Sequence, residues 1–398
     1  MSTARRARSG TFRSATAALV AFGLAIAGCT GDGDDGASRS TAGGSTAAVT
    51  APEVDQASAT TPAEPTTAAT MATAAAADDV GGTAASRPAG RQRSAVASSG
   101  CGTSPVREVL DERGEIDIDG QERWFLMTTP PEHDGETPLP LVLDFHGLGE
   151  GAEVHRLTSE MPAYAREHGF VAVLPHGSGE PVGWGVEPDV ARNPDLQFVA
   201  RLLDRLERRL CIDTSRVYAT GFSNGAFMSS SIACAMPDRF AAVAPIAGAN
   251  ILCEGFERPM PVFAVHGTSD AILLFNGGIN LEGEPGADPT SSSAEPEGLP
   301  PADLEGAGYP ENMTRWAGFN GCQRMATEKS VADDLLMRRW DCPEGADVEF
   351  VIVLGGGHTW PGSEFTESIA SALGPTTMNL DATDAMWRFF SRFQLPAD

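Results

Sequence analysis

Lysine is almost missing from this chain: Lys329 is the single lysine among 398 residues, and the remaining basic side chains are all arginine. The 28 basic residues face 54 acidic ones, a formal net charge of −26. A field of that sign excludes nucleic acid and anionic lipid surfaces as partners, both of which need a basic face. No apolar run reaches the roughly 18–20 residues that a bilayer-spanning helix requires. There is no Walker motif, no H-E-x-x-H and no paired C-x-x-C, so the sequence predicts neither a metal nor a cofactor. Residues 30 to 100 lack any aromatic, Leu or Ile. Such a stretch cannot bury enough apolar surface to offset its ordering entropy, which excludes a core there.

What is present begins at the N-terminus. Arg5, Arg6, Arg8 and Arg13 precede the short apolar run "ATAALVAFGLAIAG", which ends at Cys29. A basic head followed by an h-region too short to span a membrane reads as an export signal over residues 1–28. Ile26-Ala27-Gly28-Cys29 resembles a bacterial lipobox, in which Cys29 is lipidated and tethers the protein to the membrane. Ala25-Ile26-Ala27 fits an ordinary cleavage site that releases it instead. Without the four signal arginines, 24 basic residues stand against 54 acidic ones, a net charge of −30. Residues 29–100 then read as a disordered tether rich in Ala, Thr, Ser and Gly. Setting Cys29 aside leaves Cys101, Cys211, Cys234, Cys253, Cys322 and Cys342, an even set suited to an oxidising compartment. Cys322 and Cys342 flank one short segment and form the best single pair; fifteen connectivities remain formally open.

From Cys101 to residue 398 the composition is globular. Short β-rich runs ("RWFLMT", "LPLVLDFHG", "FVAVLPHG", "RVYATG", "FAAVAPIAG", "MPVFAVHG", "VEFVIVLGGG") recur between helix-like stretches such as "LQFVARLLDRLERRL" and "NGAFMSSSIACAM". Most of these runs are continuously apolar, as parallel strands buried on both faces should be. The alternation predicts an α/β fold, a mostly parallel doubly wound sheet flanked by helices, with ligands at the carboxyl ends of the strands. Residues 276–312, acidic and rich in Gly, Pro and Ser, read as a surface insertion.

Gly221-Phe222-Ser223-Asn224-Gly225 is a G-x-S-x-G set between a predicted strand ending at Thr220 and a helix starting near Asn224. That setting, more than the bare pattern, marks a nucleophile elbow with Ser223 exposed at its tip. A serine hydroxyl needs a base, and the base an orienting acid. Asp270 follows the strand "VFAVHG", and His358 follows "VEFVIVLGGG", which gives the chain order Ser, Asp, His of α/β-hydrolases. Alone, Asp270 would be an ordinary turn or cap aspartate. His266 reads as a structural histidine, His146 as a shaping residue of its loop, and Asp144 as a strand-end carboxylate. Backbone N–H donors for an oxyanion are expected from Asn224 and from Leu148, with Gly147 the alternative to Leu148. Trp184 and Trp360 are candidates for lining a substrate pocket. A rival pattern, Gly147-x-Gly149-x-x-Ala152 with Glu167 downstream, matches a dinucleotide fingerprint but follows a strand that is not the first.

Together "GCGTSP", "LVLDFHGLG", "LCIDTSRVYATGFSNGAFMSSSIACAMPDRFAAVAPIAGA", "VFAVHGTSD" and "GGGHTWPG" resemble the secreted polyhydroxyalkanoate depolymerase and feruloyl esterase-like family of α/β-hydrolases. The resemblance covers Cys101 to the C-terminus apart from the insertion. It implies an exported serine esterase in which Ser223 is nucleophile, Asp270 acid and His358 base, with several cysteines bridged. Its substrates would be hydroxycinnamate esters or polyhydroxyalkanoate oligomers. Where the family often carries two aspartates, this chain has Pro194-Asp195. The alternatives are a surface binding protein that keeps the fold without catalysis, and a serine peptidase.

Overall fold

The computed structural model describes residues 93–103, 108–280 and 299–396. The signal segment, Cys29 and nearly all of the expected tether lie outside these residues. So does the middle of the expected insertion.

Ten strands form one sheet: β1 (Val109–Ile118), β2 (Gln121–Thr129), β3 (Leu139–Phe145), β4 (Val171–Pro175), β5 (Ile212–Phe222), β6 (Ala242–Ile246), β7 (Val262–Gly267), β8 (Ala326–Ala332), β9 (Leu335–Trp340) and β10 (Val348–Val353). Their spatial order is β1-β2-β4-β3-β5-β6-β7-β10-β9-β8. The six inner strands from β4 to β10 are parallel. β1 and β2 on one flank, and β9 and β8 on the other, run antiparallel. All six inner strands are buried along their whole length apart from two half-buried positions in β5, which explains the largely apolar composition of all but the polar first half of β5.

Helices cover both faces. α1 (Gly151–Thr158) and α2 (Met161–His168) precede α3 (Pro194–Arg209) and α4 (Asn224–Ala235); α5 (Tyr309–Phe319), α6 (Glu364–Ser368), α7 (Ala370–Leu373) and α8 (Ala382–Phe390) follow. One apolar cluster holds the inward residues of α3, α4 and α5, and a second those of α2 and α8, on opposite sides of the sheet. α3 starts where Asn193 Oδ1 accepts from the N–H groups of Asp195 and Leu196, with Pro194 in the first turn. Its stripe of Leu196, Val199, Leu202, Leu203 and Leu206 is fully buried, at the spacing an amphipathic helix needs.

From β3 the chain passes to β4 on one side and to β5 on the other, so the sheet reverses winding between β3 and β5. A crevice opens beyond the carboxyl ends of the strands at such a point. Both the Gly147 loop and Ser223 emerge there.

Several sequence expectations shift. β5 continues to Phe222 rather than ending at Thr220, so Ser223 follows the strand directly. The folded region starts upstream of Cys101: the Val96 N–H donates to Asp213, and the Ser98 hydroxyl donates to the Leu210 carbonyl. The flanks of the 276–312 stretch are built. Asn276 bonds Pro301 and Asp303 through both ends of its amide, and Tyr309 already opens α5. Cys322 pairs with Cys342 as expected; Cys101 pairs with Cys211, and Cys234 with Cys253. The Cys101–Cys211 bridge closes a separation of 110 residues, which by loop-closure entropy stabilises by about 5 kcal/mol. Three such bridges belong to a protein that matures in an oxidising, extracytoplasmic compartment.

Candidate active site

Ser223 sits between β5 and α4 at φ 56° and ψ −115°. Such backbone costs a non-glycine residue on the order of 1–3 kcal/mol, which the surrounding packing must enforce. That packing is very close: a Cβ on Gly225 would stand 1.9 Å from the Phe145 carbonyl oxygen, and one on Gly221 2.6 Å from that same oxygen. The two outer glycines of the motif are therefore needed for backbone-to-backbone contact between the elbow and the end of β3. The Ser223 hydroxyl makes no hydrogen bond to the described residues, and Ser223 is half-buried.

Asp270, three residues past β7, and His358, five past β10, meet in a buried hydrogen bond of 2.7 Å from His358 Nδ1–H to Asp270 Oδ2. The other carboxylate oxygen, Oδ1, accepts from the N–H groups of Ile272 and Leu273 at 2.9 and 2.8 Å. Burial pushes the Asp270 carboxyl up, but the His358 imidazole, its hydrogen bond, His266 and the Leu273 N–H outweigh it and hold the group below its ordinary value. The His358 ring packs on the Phe222 ring at 4.8 Å between centroids, against the residue that precedes Ser223. Its Nε2 carries no partner among the described residues. Of the glycines before His358, Gly355 takes a left-handed φ of 72° with open space around it, whereas Gly356 and Gly357 serve tight packing. A Cβ on Gly357 would meet the Leu373 carbonyl oxygen at 2.3 Å, and the N–H groups of Gly357 and His358 donate to Pro375 and Leu373.

Around the β3 loop, the N–H groups of Leu148 and Asn224 find no acceptor among the described residues, whereas the Gly147 N–H is engaged by Glu150 Oε2 at 2.7 Å. Gly147 therefore drops out as the alternative donor. His146 is fully buried, and its burial lowers the imidazole to about 3, so the ring is neutral. Its Nδ1–H donates to the Gly147 carbonyl at 2.7 Å while Nε2 accepts from the Gly177 N–H at 2.9 Å. His266 is held neutral in the same way, with burial lowering it to about 4, and donates Nε2–H to the Leu273 carbonyl beside Asp270. Both histidines thus serve as shape. The Ala152 N–H in the first turn of α1 is engaged by His176 Nδ1 at 3.2 Å, and Glu167 is exposed on α2, so neither end of the dinucleotide pattern is built as a phosphate or ribose site.

The two tryptophans are buried, 6% and 1% exposed, rather than presented as an open wall. Trp184 donates its indole N–H to the His146 carbonyl at 2.9 Å, and its backbone N–H and carbonyl bond both ends of the Asn224 amide at 2.7 and 3.2 Å. It joins the loop after β3 to the residue after Ser223. Trp360 donates to the Thr383 hydroxyl and borders a cavity of about 170 Å³ with Glu160, Tyr164 and Asp381. Asp195 is taken up by Arg123 at 2.8 Å and by the Gly185 N–H at 2.7 Å, in support of the Trp184 segment. Removing one partner of such a buried pair costs about 3–5 kcal/mol.

Sequence reasoning missed Glu150, His155 and the side chain of Asn224. His155 is fully buried between Asp144 Oδ1 at 2.7 Å and Glu150 Oε2 at 3.1 Å. The available signal was a His and two acids within twelve residues of a strand end, a pattern that means little until burial is known.

No protein-family model matches the chain. The putative esterase NocK of Nocardia uniformis subsp. tsuyamanensis is 30% identical over 299 residues, 70% of this chain and 82% of that protein. Probable feruloyl esterase C of Aspergillus terreus is 30% identical over 240 residues, 58% and 81% of the two chains. Feruloyl esterase B of Piromyces equi is 26% identical over 246 residues, and the chain spans only 42% of its length. Among solved structures, the acetyl xylan esterase from Aspergillus awamori superposes with a TM-score of 0.44 at 14% identity, covering 66% of this chain and all of that one. Kinship at 30% identity across four-fifths of a relative's length, on a sheet of this topology, leads to one conclusion: this carboxylic ester hydrolase belongs to the feruloyl esterase-like family of α/β-hydrolases.

Proposed function

We propose that the chain is an exported serine esterase that works through an acyl-enzyme. The observation that carries this reading is the elbow: Ser223 is held at positive φ beyond β5, its hydroxyl unengaged, beside a buried Asp270–His358 pair. Ser223 Oγ attacks the ester carbonyl as His358 Nε2 takes its proton, and Asp270 holds the Nδ1–H tautomer and stabilises the imidazolium. The tetrahedral oxyanion lies between the N–H groups of Asn224 and Leu148, with the N-terminus of α4 adding its dipole. His358 then protonates the departing alkoxide, and water releases the acyl group by the reverse relay. Hydroxycinnamate esters are the substrate class that the feruloyl esterase relatives support. Export rests on the N-terminal signal pattern and the three disulfides, and anchoring on Cys29.

Ser223→Ala is expected to cut turnover of p-nitrophenyl butyrate on the order of 10⁴-fold or more while the domain stays folded. A folded variant near wild-type turnover would sink the proposal. Methyl ferulate and hydroxybutyrate oligomers, compared by kcat/KM in one assay, test the substrate class; preference for the oligomers rejects the hydroxycinnamate assignment.

A further inference from the structure

The Leu148 N–H can be aimed only by fixing the Gly147–Leu148 peptide plane, because a trans peptide puts its carbonyl and N–H on opposite edges. The carbonyl edge is held twice, by His146 Nδ1–H at 2.7 Å and by the Glu150 N–H at 3.2 Å. The preceding peptide is held by the Gly147 N–H, which donates to Glu150 Oε2 at 2.7 Å. Glu150 therefore grips Gly147 from both sides. Its carboxylate is anchored in turn: the Thr158 hydroxyl donates to Oε1, and His155 Nδ1–H donates to Oε2 at 3.1 Å. His155 Nε2–H donates to Asp144 Oδ1, on β3, at 2.7 Å. Burial opposes charge on His155, but Asp144 and Glu150 raise it to about 10, so the ring is an imidazolium. Trp360, two residues past His358, sets its ring edge-on to the same imidazole at 5.7 Å.

We propose that Glu150 is the positioning residue of the oxyanion loop: clamped between the Gly147 N–H and His155, it aims the Leu148 N–H at the reacting carbonyl oxygen. The inference rests on the serine esterase reading above. A pair that served stability alone would need no bond to Gly147. Here the loop is tied through one carboxylate to the rigid ends of β3 and α1, and a displacement of about 1 Å in a catalytic group is enough to cost a hundredfold in rate.

Two conservative variants separate reach from charge. Glu150→Gln keeps an acceptor for the Gly147 N–H and loses the charge. Glu150→Asp keeps the charge and is one methylene short of Gly147. On p-nitrophenyl butyrate, Glu150→Asp is expected to lose about 10- to 100-fold in kcat with KM within about twofold. Glu150→Gln is expected to lose less than about fivefold, and affinity for butylboronic acid, a tetrahedral adduct former, should fall in parallel with kcat. If folded Glu150→Asp turns over as fast as Glu150→Gln, or both match wild type, the proposal is overturned. Should Glu150→Asp not fold, Thr158→Val loosens the carboxylate without touching the loop. It is expected to lower kcat about three- to tenfold at unchanged KM, and an unchanged kcat overturns the proposal. Ser223→Ala run in parallel keeps the two readings apart: activity there removes the serine mechanism, whereas an inactive Ser223→Ala beside fully active Glu150 variants removes only this inference.

Discussion

The strain at Ser223 is maintained by atoms that leave no room for adjustment. Gly225 is the tightest point, since any Cβ there would overlap the carbonyls of Phe145 and His146, the residues that lead into the loop proposed to hold the oxyanion. Gly225→Ala is expected to destabilise the domain by at least about 1–3 kcal/mol, the usual cost of overpacking. It should also lower kcat by displacing that loop. Gly318, in α5, has open space where its Cβ would go. Gly318→Ala should therefore stabilise by about 0.5–1 kcal/mol at unchanged activity. Urea unfolding and a p-nitrophenyl ester assay on the two variants read both effects, and a neutral Gly225→Ala would contradict the packing argument. At this scale the three residues proposed as nucleophile, acid and base were legible as a group, because each lies within five residues of a strand's carboxyl end and they follow the chain order Ser, Asp, His. Glu150 and His155 were not, because nothing in a sequence tells a solvated Glu–His pair from one buried under a loop.

Elements were legible in proportion to their burial. Most of the six parallel strands announce themselves as largely apolar runs, whereas β1 and β8 lie on the sheet's edges with mostly exposed or half-exposed side chains. Their compositions, "VLDERGEIDI" and "ATEKSVA", carry no run and little alternation. β9, "LLMRRW", carries two arginines; Arg338 is buried on Glu305, Glu328 and the Leu304 carbonyl, a pairing no local pattern announces. The segment from Gly177 to Val186 holds only one short antiparallel bridge, Ser178 to Gly183, yet it carries Trp184 between the loop after β3 and Asn224. Trp184→Phe keeps the ring contact with Phe145 and the backbone bonds to Asn224 but leaves the His146 carbonyl unpaired. It is expected to cost about 1–2 kcal/mol of stability and about three- to tenfold in kcat, with KM unchanged. Thermal melts with steady-state kinetics check this, and a rise in KM alone would instead mark Trp184 as a substrate contact.

For the whole molecule, the buried histidines set opposing demands on pH. His146 and His266 are neutral in the fold, lowered by burial to about 3 and about 4, and His133 and His176 shift the same way. Between those values and the unfolded value of about 6.5, the unfolded chain binds more protons, so stability falls as the medium becomes more acid. His155 has the reverse sign. Raised to about 10, it contributes fully below about 6.5, and that contribution drains away as pH climbs toward 10. The melting temperature should therefore crest near pH 6.5 and decline on both sides; on the alkaline side the decline up to about pH 9 belongs to His155 among the described residues, and the raised tyrosines Tyr164, Tyr218 and Tyr309 add to it only beyond. His155→Gln removes that titration while leaving the acid limb to His146 and His266, so its melting curve should lie below wild type at pH 6.5 and converge with it toward pH 10. Calorimetric melts of both proteins across pH 4 to 10 provide the measurement. A constant gap between the two curves from pH 6.5 to 10 would mean that His155 is not held as an imidazolium between Asp144 and Glu150.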